Sequence, residues 1–264
     1  MLSSLHAFSG EDILRDIPYG ESPLQTMDAY LPADPKGPVI FMVHGGAWRL
    51  GDKSADNVVK NKVERWVSRG FVFVSVNYRL LPDADPVMQA GDVAKAFKLA
   101  RDKARSWGAD PSEFILMGHS AGAHLAALVA SDPSRYGLRP WPGTVELDSA
   151  ALDVSEIMNS RHPRFYDRAF GDDPQYWKNA SPVENLSRSA APILAVCSTR
   201  RRNSCSQARQ FADKGKALGV RIEVLPEDLS HMEINERLGT EGIYTDSVES
   251  FMGSLSPEVR RLLK

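Results

Sequence analysis

Short apolar runs of five or six residues recur along the chain, and each is followed by a turn and a segment with helical spacing. Most are rich in β-branched or aromatic side chains and do not alternate between apolar and polar positions. A strand that is apolar on both faces is buried on both faces, as in a parallel sheet that helices cover. The pattern therefore predicts an α/β fold in layers, with a central, mostly parallel sheet and helices on both faces. The predicted strands are 39–43, 71–76, 114–118, 149–154, 193–197 and 220–225.

Helical segments separate these strands. Pro86 suits the first turn of a helix, and the segment 121–130 is apolar nearly all round, which indicates a buried helix. No linker or internal repeat divides residues 1–264, so we expect a single domain. Residues 155–190 are polar, aromatic and interrupted by proline and glycine, which predicts a lid or specificity insertion. The predicted helices are 86–107, 121–130, 207–218 and 243–252, and two antiparallel edge strands are predicted at 12–19 and 26–31.

Composition excludes several classes of protein. Hydrophobic residues make up 42% of the chain, which is enough for a sizeable core, and the net charge of −2 argues against a nucleic-acid binder. No apolar run approaches the roughly 18 residues that a membrane span needs. The first twenty residues lack the pattern of a secretory signal, which predicts a cytoplasmic protein. The sequence leaves open whether the chain forms a homodimer.

The two cysteines, Cys197 and Cys205, are too few for a disulfide framework. In a reducing compartment we expect two free thiols, although the eight-residue spacing leaves a local bridge open. A zinc site would need further Cys or His ligands nearby, and the sequence supplies none, so we expect no metal and no cofactor.

Gly118-His119-Ser120-Ala121-Gly122 is the strongest motif in the chain. It follows a predicted strand and opens a predicted helix, which is the context of a nucleophile elbow. Ser120 would occupy a strained conformation in a very tight turn, and glycines on both sides would prevent collisions with the neighbouring elements. The motif predicts an exposed serine nucleophile.

A second motif, His44-Gly45-Gly46-Ala47-Trp48, directly follows the first buried strand. Backbone N–H groups of Gly46 and Ala47, together with that of Ala121, would form an oxyanion hole. Trp48 and His119 are candidates for the wall of the substrate pocket.

His231 follows the last predicted strand, where a loop can bring a general base to the serine. The other histidines suit this role less well. They lie in the N-terminal tail (His6), the glycine loop (His44), the elbow (His119), the buried helix (His124) and the insertion (His162).

These motifs resemble the α/β-hydrolase superfamily, and within it the HGG-type esterase/lipase branch, over about residues 12–254. The resemblance rests on the segments 44–48, 77–82, 107–112, 118–122, 180–182 and 230–235, and is greatest to the kynurenine-formamidase-like group. It implies a cofactor-free serine hydrolase that acts through an acyl-enzyme. It also implies Ser120 as nucleophile, His231 as base, and Gly45 to Ala47 with Ala121 as oxyanion hole.

The acid of the triad departs from this resemblance. The family places an Asp or Glu in the loop after the strand that ends near Cys197, but residues 198–206 contain no carboxylate. Asn203 lies about where the acid belongs, either as a disabling substitution or as an adequate orienter of the histidine. Asp153, at the end of the preceding predicted strand, is the alternative acid. Asp228 is more typical of a surface or capping group.

Three consecutive arginines, 200–202, lie in the same loop. Such a run is typical of a solvated loop or an ion-pair cluster. The alternatives are that one arginine recognises an anionic group of the substrate or attracts an acidic side chain near the site.

The sequence therefore predicts hydrolysis of a small carboxylic ester with a short acyl or aryl group. An arylformamidase that cleaves an N-formyl amide such as N-formylkynurenine is the alternative enzyme. A degenerate hydrolase fold that only binds a ligand is the alternative of another class, and Asn203 is the feature that supports it.

Overall fold

One eight-stranded sheet forms the centre of the protein. The computed structural model describes residues 13–149 and 151–264. The strands are β1 (Ile13–Pro18), β2 (Thr26–Tyr30), β3 (Val39–Val43), β4 (Val72–Val76), β5 (Phe114–His119), β6 (Gly143–Leu147), β7 (Ile193–Ser198) and β8 (Ile222–Glu227). They lie in the order β1-β2-β4-β3-β5-β6-β7-β8. The pairs β1–β2 and β2–β4 are antiparallel and the remaining pairs are parallel, so the carboxyl ends of β3 to β8 meet at one edge.

Helices cover both faces of this sheet. Neighbouring residues of a strand point to opposite faces, so Phe41 and Leu116 pack into one buried cluster while Ile40 and Ile115 pack into the other. The helices are α1 (Asp56–Val67), α2 (Pro86–Lys103), α3 (Ala121–Ser131), α4 (Val154–Met158), α5 (Arg164–Phe170), α6 (Pro174–Ala180), α7 (Pro182–Asn185), α8 (Ser204–Leu218), α9 (His231–Glu236), α10 (Ile243–Leu255) and α11 (Pro257–Leu262).

The predicted fold class is confirmed, and most predicted elements lie within a few residues of the observed ones. Pro86 begins α2, and the side chain of Asp85 accepts hydrogen bonds from two backbone N–H groups of its first turn. The predicted edge strands correspond to β1 and β2, although residue 12 lies outside the described residues. The insertion at 155–190 consists largely of the short helices α4 to α7.

The predicted strand at 149–154 is wrong. The strand next to β5 is β6, which ends two residues before position 149, while Val154 begins α4 and residue 150 lies outside the described residues. Thr144 and Glu146 make β6 appear half-exposed in sequence, yet both side chains are buried. Thr144 accepts a hydrogen bond from the indole of Trp141, and Glu146 accepts one from the backbone N–H of Ser149.

Burial raises the pKa of Glu146 well above its usual value and so favours the neutral form of this carboxyl group. One Glu146 oxygen accepts the hydrogen bond from Ser149, while Oε2 has no hydrogen-bond partner among the described residues. Because burial favours the neutral form, this side chain costs less in the interior than a charged one would, and β6 can be buried on both faces.

The expectation of free thiols is also wrong, because Cys197 and Cys205 form a disulfide. Cys197 lies near the end of β7 and Cys205 in the first turn of α8, and their Cα atoms are 5.1 Å apart. The loop between these elements folds back on itself, which realises the local bridge that the spacing left open.

Candidate active site

Ser120 lies in the sharp turn between β5 and α3, at the carboxyl edge of the sheet. Its backbone has φ 57° and ψ −118°, a conformation that a non-glycine residue rarely adopts. A side chain on Gly118 would overlap the carbonyl oxygen of Gly122, and one on Gly122 would overlap that of Val43. The two glycines are therefore required for the tight turn that presents Ser120.

His231 is the first residue of α9 and faces Ser120. Its Nε2 lies 2.9 Å from Ser120 Oγ, so the serine hydroxyl can donate to the imidazole. Ser230 and Glu233 form a reciprocal capping box at the start of α9, which fixes the direction in which the helix begins. The structure therefore brings together the predicted nucleophile and the predicted base.

The carboxylate at this histidine belongs to Asp148, the residue that directly follows β6. Asp148 Oδ2 lies 2.6 Å from His231 Nδ1, and the Asp148 side chain is fully buried. Burial alone would raise the pKa of this carboxyl group. Hydrogen bonds from His231 and Ser204 and the charge of Arg201 outweigh burial and lower the pKa to about 2. Asp148 is therefore ionised at neutral pH and can hold His231 Nδ1 in its protonated form.

The two predictions for the acid, Asn203 and Asp153, are both wrong. Asn203 is exposed and adopts a left-handed conformation, φ 72°, at the start of α8, where its side chain makes no capping hydrogen bond. Asp153 caps α4 instead, accepting a hydrogen bond from the backbone N–H of Glu156. The acid does come from the strand before β7, but directly at the end of that strand. Asp228 is exposed and pairs with Arg200 at the surface.

Arg201 is a further residue of the site whose place the sequence left open. Its Nη1 donates to Asp148 Oδ2 and to the backbone oxygen of Asp148, both at 2.8 Å, and lies 3.0 Å from His231 Nδ1. Of the alternatives for the arginine run, this geometry favours attraction of an acidic side chain.

The glycine loop after β3 packs directly against the elbow. A Cβ atom on Gly45 would lie 2.9 Å from Ser120 Cβ. Gly46 and Ala47 have positive φ angles of 127° and 51°. Within the described residues no backbone hydrogen bond uses the N–H of Gly46 or Ala47 as donor. The N–H of Ala121, at the first helical position of α3, has no partner within that helix. These three N–H groups near Ser120 therefore have no backbone acceptor among the described residues.

His119 and His124 are buried and neutral. Burial and the neighbouring His231 lower the pKa of His119 to about 3, and its Nε2 donates to the backbone oxygen of His231. Burial lowers the pKa of His124 to about 4. His124 accepts a hydrogen bond from the Trp48 indole and donates to the backbone oxygen of Ala180, which connects the glycine loop to the insertion.

The remaining histidines do not reach Ser120. His44 stacks on Tyr78, and His162 pairs with Asp167 in the insertion. His6 lies outside the described residues.

A cavity of about 660 Å³ opens above Ser120. The glycine loop, His119 and Trp48 line it, together with Tyr166 and Arg201. Three of the exposed large apolar side chains also line the cavity: Leu50, Phe165 and Met232. Its volume falls within the range of small-molecule sites, and its walls suit an apolar group.

Within 13–149 and 151–264, no helix combines the length and the apolar character needed to cross a bilayer. The same residues contain no cluster of three His, Cys, Asp or Glu side chains suited to a metal ion.

The chain is similar in sequence to known esterases and to a kynurenine formamidase. Residues 27–139 match the BD-FAE family model. The chain is 28% identical to the esterase LipC of Mycobacterium tuberculosis over 77% of its own length and 55% of that protein. It is 31% identical to the kynurenine formamidase of Danio rerio over 56% of its own length and 49% of that protein. It thus spans about half the length of these relatives.

Among solved structures, a truncated carbohydrate esterase from gut microbiota superposes with a TM-score of 0.77 at 17% identity, covering 94% of this chain and 96% of that one. The chain has the α/β-hydrolase fold. The predicted resemblance to the HGG-type esterase/lipase branch is confirmed by the relatives together with the family model. Within this fold the chain carries its buried carboxylate after β6, while the loop after β7, where the resemblance implied an acid, contributes Arg201.

Proposed function

We propose that the protein is a serine carboxylesterase that hydrolyses small esters with a short acyl or aryl group. The observation that carries the proposal is the continuous chain of hydrogen bonds from Asp148 through His231 to Ser120. The presence of esterases among the relatives supports the same class of reaction.

In this proposal His231 Nε2 accepts the proton of Ser120 as the serine oxygen attacks the ester carbonyl carbon. The backbone N–H groups of Gly46, Ala47 and Ala121 stabilise the oxyanion, and one such donor typically contributes about 3 kcal/mol. His231 then protonates the leaving alcohol, and water, activated by the same histidine, hydrolyses the acyl-enzyme. Asp148 keeps Nδ1 protonated and stabilises the imidazolium.

The lining of the cavity supports this substrate class. Its lining is largely apolar and includes the exposed side chains of Leu50, Phe165 and Met232, which suit an acyl chain or an aryl ring. We expect faster hydrolysis of p-nitrophenyl acetate and butyrate than of the palmitate ester. Equal rates on the long-chain ester would contradict the short-acyl preference.

Hydrolysis is tested with Ser120→Ala, which should lose measurable turnover of p-nitrophenyl acetate. A fluorophosphonate probe should label the wild type and leave Ser120→Ala and heat-denatured protein unlabelled. An inert serine and no turnover would instead favour the ligand-binding alternative. The hydrogen bond between His231 and Asp148 argues against this alternative, because it supplies the carboxylate whose apparent absence was the feature in its favour.

Arylformamidase activity is the second candidate, and the similarity to a kynurenine formamidase favours it. The same serine and histidine would serve, since the departing aniline needs only a proton from His231. A kcat/KM for N-formylkynurenine above that for p-nitrophenyl acetate would establish this candidate as the primary activity.

A cytoplasmic location and a homodimer stay predictions, and a disulfide is more typical of an oxidising compartment.

A further inference from the structure

The loop between β7 and α8 is closed by the Cys197–Cys205 disulfide. Ser198 directly follows the first cysteine and Ser204 directly precedes the second, so each is bonded through one peptide link to a half of the bridge. Both serines are fully buried. The disulfide therefore fixes the separation between the two ends of this loop.

The same two serines hold one oxygen of the Asp148 carboxylate. The backbone N–H of Ser198 donates to Asp148 Oδ1 at 2.8 Å, and the Ser204 hydroxyl donates to the same oxygen at 2.5 Å. Oδ2 is thereby left to His231 and Arg201. The rotation of the carboxylate is thus set by the two residues that the disulfide ties together.

The loop reaches the surface between the two serines. Asn203 adopts a positive φ of 72°, a left-handed conformation that asparagine visits more readily than most other non-glycine residues. Arg202 and Asn203 are exposed and do not anchor the loop in the core. The disulfide joins β7, which ends at Ser198, to α8, which begins at Ser204. This covalent link restrains the two serines independently of the exposed residues between them.

We propose that the Cys197–Cys205 disulfide is a positioning device for Asp148, so that turnover depends on the oxidation state of this cysteine pair. The proposal rests on the proposed function, because it takes Asp148 as the acid of an esterase. Opening the bridge frees the ends of the loop, lets Ser198 and Ser204 separate, and allows the carboxylate to rotate away from His231 Nδ1.

Reduction by a dithiol gives a balanced step. A thiolate of dithiothreitol attacks one sulfur of the disulfide and releases the other as a thiolate. The second thiol of the reagent then attacks the reagent's own sulfur in the mixed disulfide and releases the second cysteine. The products are two cysteine thiols and the cyclic oxidised reagent. Two electrons and two protons pass from the reagent to the pair. Cys197 is 1% and Cys205 9% exposed, so a small reductant and prolonged incubation are appropriate.

The first test compares oxidised and reduced wild-type protein with p-nitrophenyl acetate. We expect kcat to fall about 10- to 100-fold on reduction, because misplacement of a catalytic group by about 1 Å costs up to about 100-fold. KM should change less than about twofold, since the apolar wall formed by Leu50, Phe165 and Met232 lies outside the loop that the disulfide closes. Reoxidation should restore kcat. The double variant Cys197→Ala/Cys205→Ala should show the reduced value and no response to dithiothreitol, which controls for other effects of the reagent.

Variants with the disulfide intact separate positioning from general stability. Ser204→Ala should lower kcat about 10-fold, and Ser204→Thr, which keeps a hydroxyl, should retain more of it. Ser206→Ala is the matched control, because its exposed hydroxyl donates to the backbone oxygen of Asn203 and has no contact with Asp148. If the double cysteine variant does not fold, the comparison of oxidised and reduced wild type tests the disulfide, and these variants test Ser204.

The outcomes distinguish this proposal from the proposed function. Full kcat in protein whose thiols titrate as free, or free thiols in the air-oxidised wild type, would overturn the positioning role. Equal kcat values for Ser204→Ala and Ser206→Ala would overturn the role of the serine. Absence of turnover and of fluorophosphonate labelling in the oxidised wild type would instead reject the proposed function.

Discussion

Replacement of Asp148 by asparagine is the sharpest test of the site. The Oδ1 position receives the N–H of Ser198, and the Oδ2 position receives the guanidinium of Arg201. An asparagine amide group would therefore face an N–H donor in either orientation. One favourable hydrogen bond is lost whichever way the side chain turns, and the negative charge beside His231 is removed.

The tautomer of His231 determines the size of the effect. Arg201 Nη1 lies 3.0 Å from His231 Nδ1 and can only donate. Without the carboxylate, this contact favours an unprotonated Nδ1 and a proton on Nε2. That proton then points at Ser120, and the histidine cannot accept the serine proton. The corresponding Asp-to-Asn change in a serine protease lowers kcat by about 10⁴, which corresponds to about 5.4 kcal/mol of transition-state stabilisation.

The assay is the initial rate of p-nitrophenyl acetate hydrolysis, with active sites counted by fluorophosphonate titration. We expect kcat of Asp148→Asn to fall about 10⁴-fold. Asn203→Asp is the control, and because position 203 is exposed and has no contact with His231, its kcat should stay within about twofold of the wild type. Asn203→Asp should also fail to rescue Asp148→Asn. More than about a tenth of wild-type kcat in Asp148→Asn, or a rescue, would refute the reasoning.

Four further outcomes are expected. Gly122→Ala should abolish turnover and lower the melting temperature, because the added methyl group overlaps the Val43 carbonyl oxygen; wild-type activity would contradict the requirement for glycine in the elbow. The lowered pKa of Asp148, about 2 when folded against 3.8, means that its stabilisation is complete above pH 4 and is lost as the pH falls towards 2. The free energy of unfolding, measured with urea, should therefore fall more between pH 4 and pH 2 in the wild type than in Asp148→Asn. Burial lowers the pKa of Lys62 from 10.5 to about 7. Between these two pH values Lys62 is protonated in the unfolded chain but not in the folded one, so the free energy of unfolding rises as the pH rises from 7 to 10.5. Lys62→Met should lack that rise in urea unfolding at pH 7 and 9, and an identical rise would exclude the lysine as its source. Loss of the disulfide should lower the free energy of unfolding by about 2.5 kcal/mol for a loop of this size, as measured by urea unfolding with and without dithiothreitol.

The nucleophile elbow could be predicted from sequence because its requirements are local. The glycines that flank Ser120 are needed by a turn of a few residues, and the flanking strand and helix have strong patterns of their own. His231 could be predicted because it lies just after the loop that follows the last strand, β8. The positions of Ser120 and His231 depend on which strand each residue follows, and short-range sequence patterns are enough to identify those strands.

The acid could not be found in the same way. The polar residues Thr144 and Glu146 give β6 an alternating pattern, and the segment after it is more apolar, which predicts a strand at 149–154. A strand at 149–154 has Asp153 near its end, whereas the residue that directly follows β6 is Asp148. The period-two alternation of residues 144–147 is a usable signal, but the burial of Glu146 depends on the fold around it.

The amino-acid sequence by itself determined the layered α/β architecture, the elbow and the positions of serine and histidine, because hydrophobic periodicity and steric demands act over short stretches. Only the tertiary structure decided which carboxylate faces His231, because that choice depends on which strand ends lie side by side in the sheet. The same holds for Arg201, whose partners Asp148 and His231 lie after β6 and at the start of α9. Contacts between residues far apart in the chain are set by packing, and no local pattern encodes them.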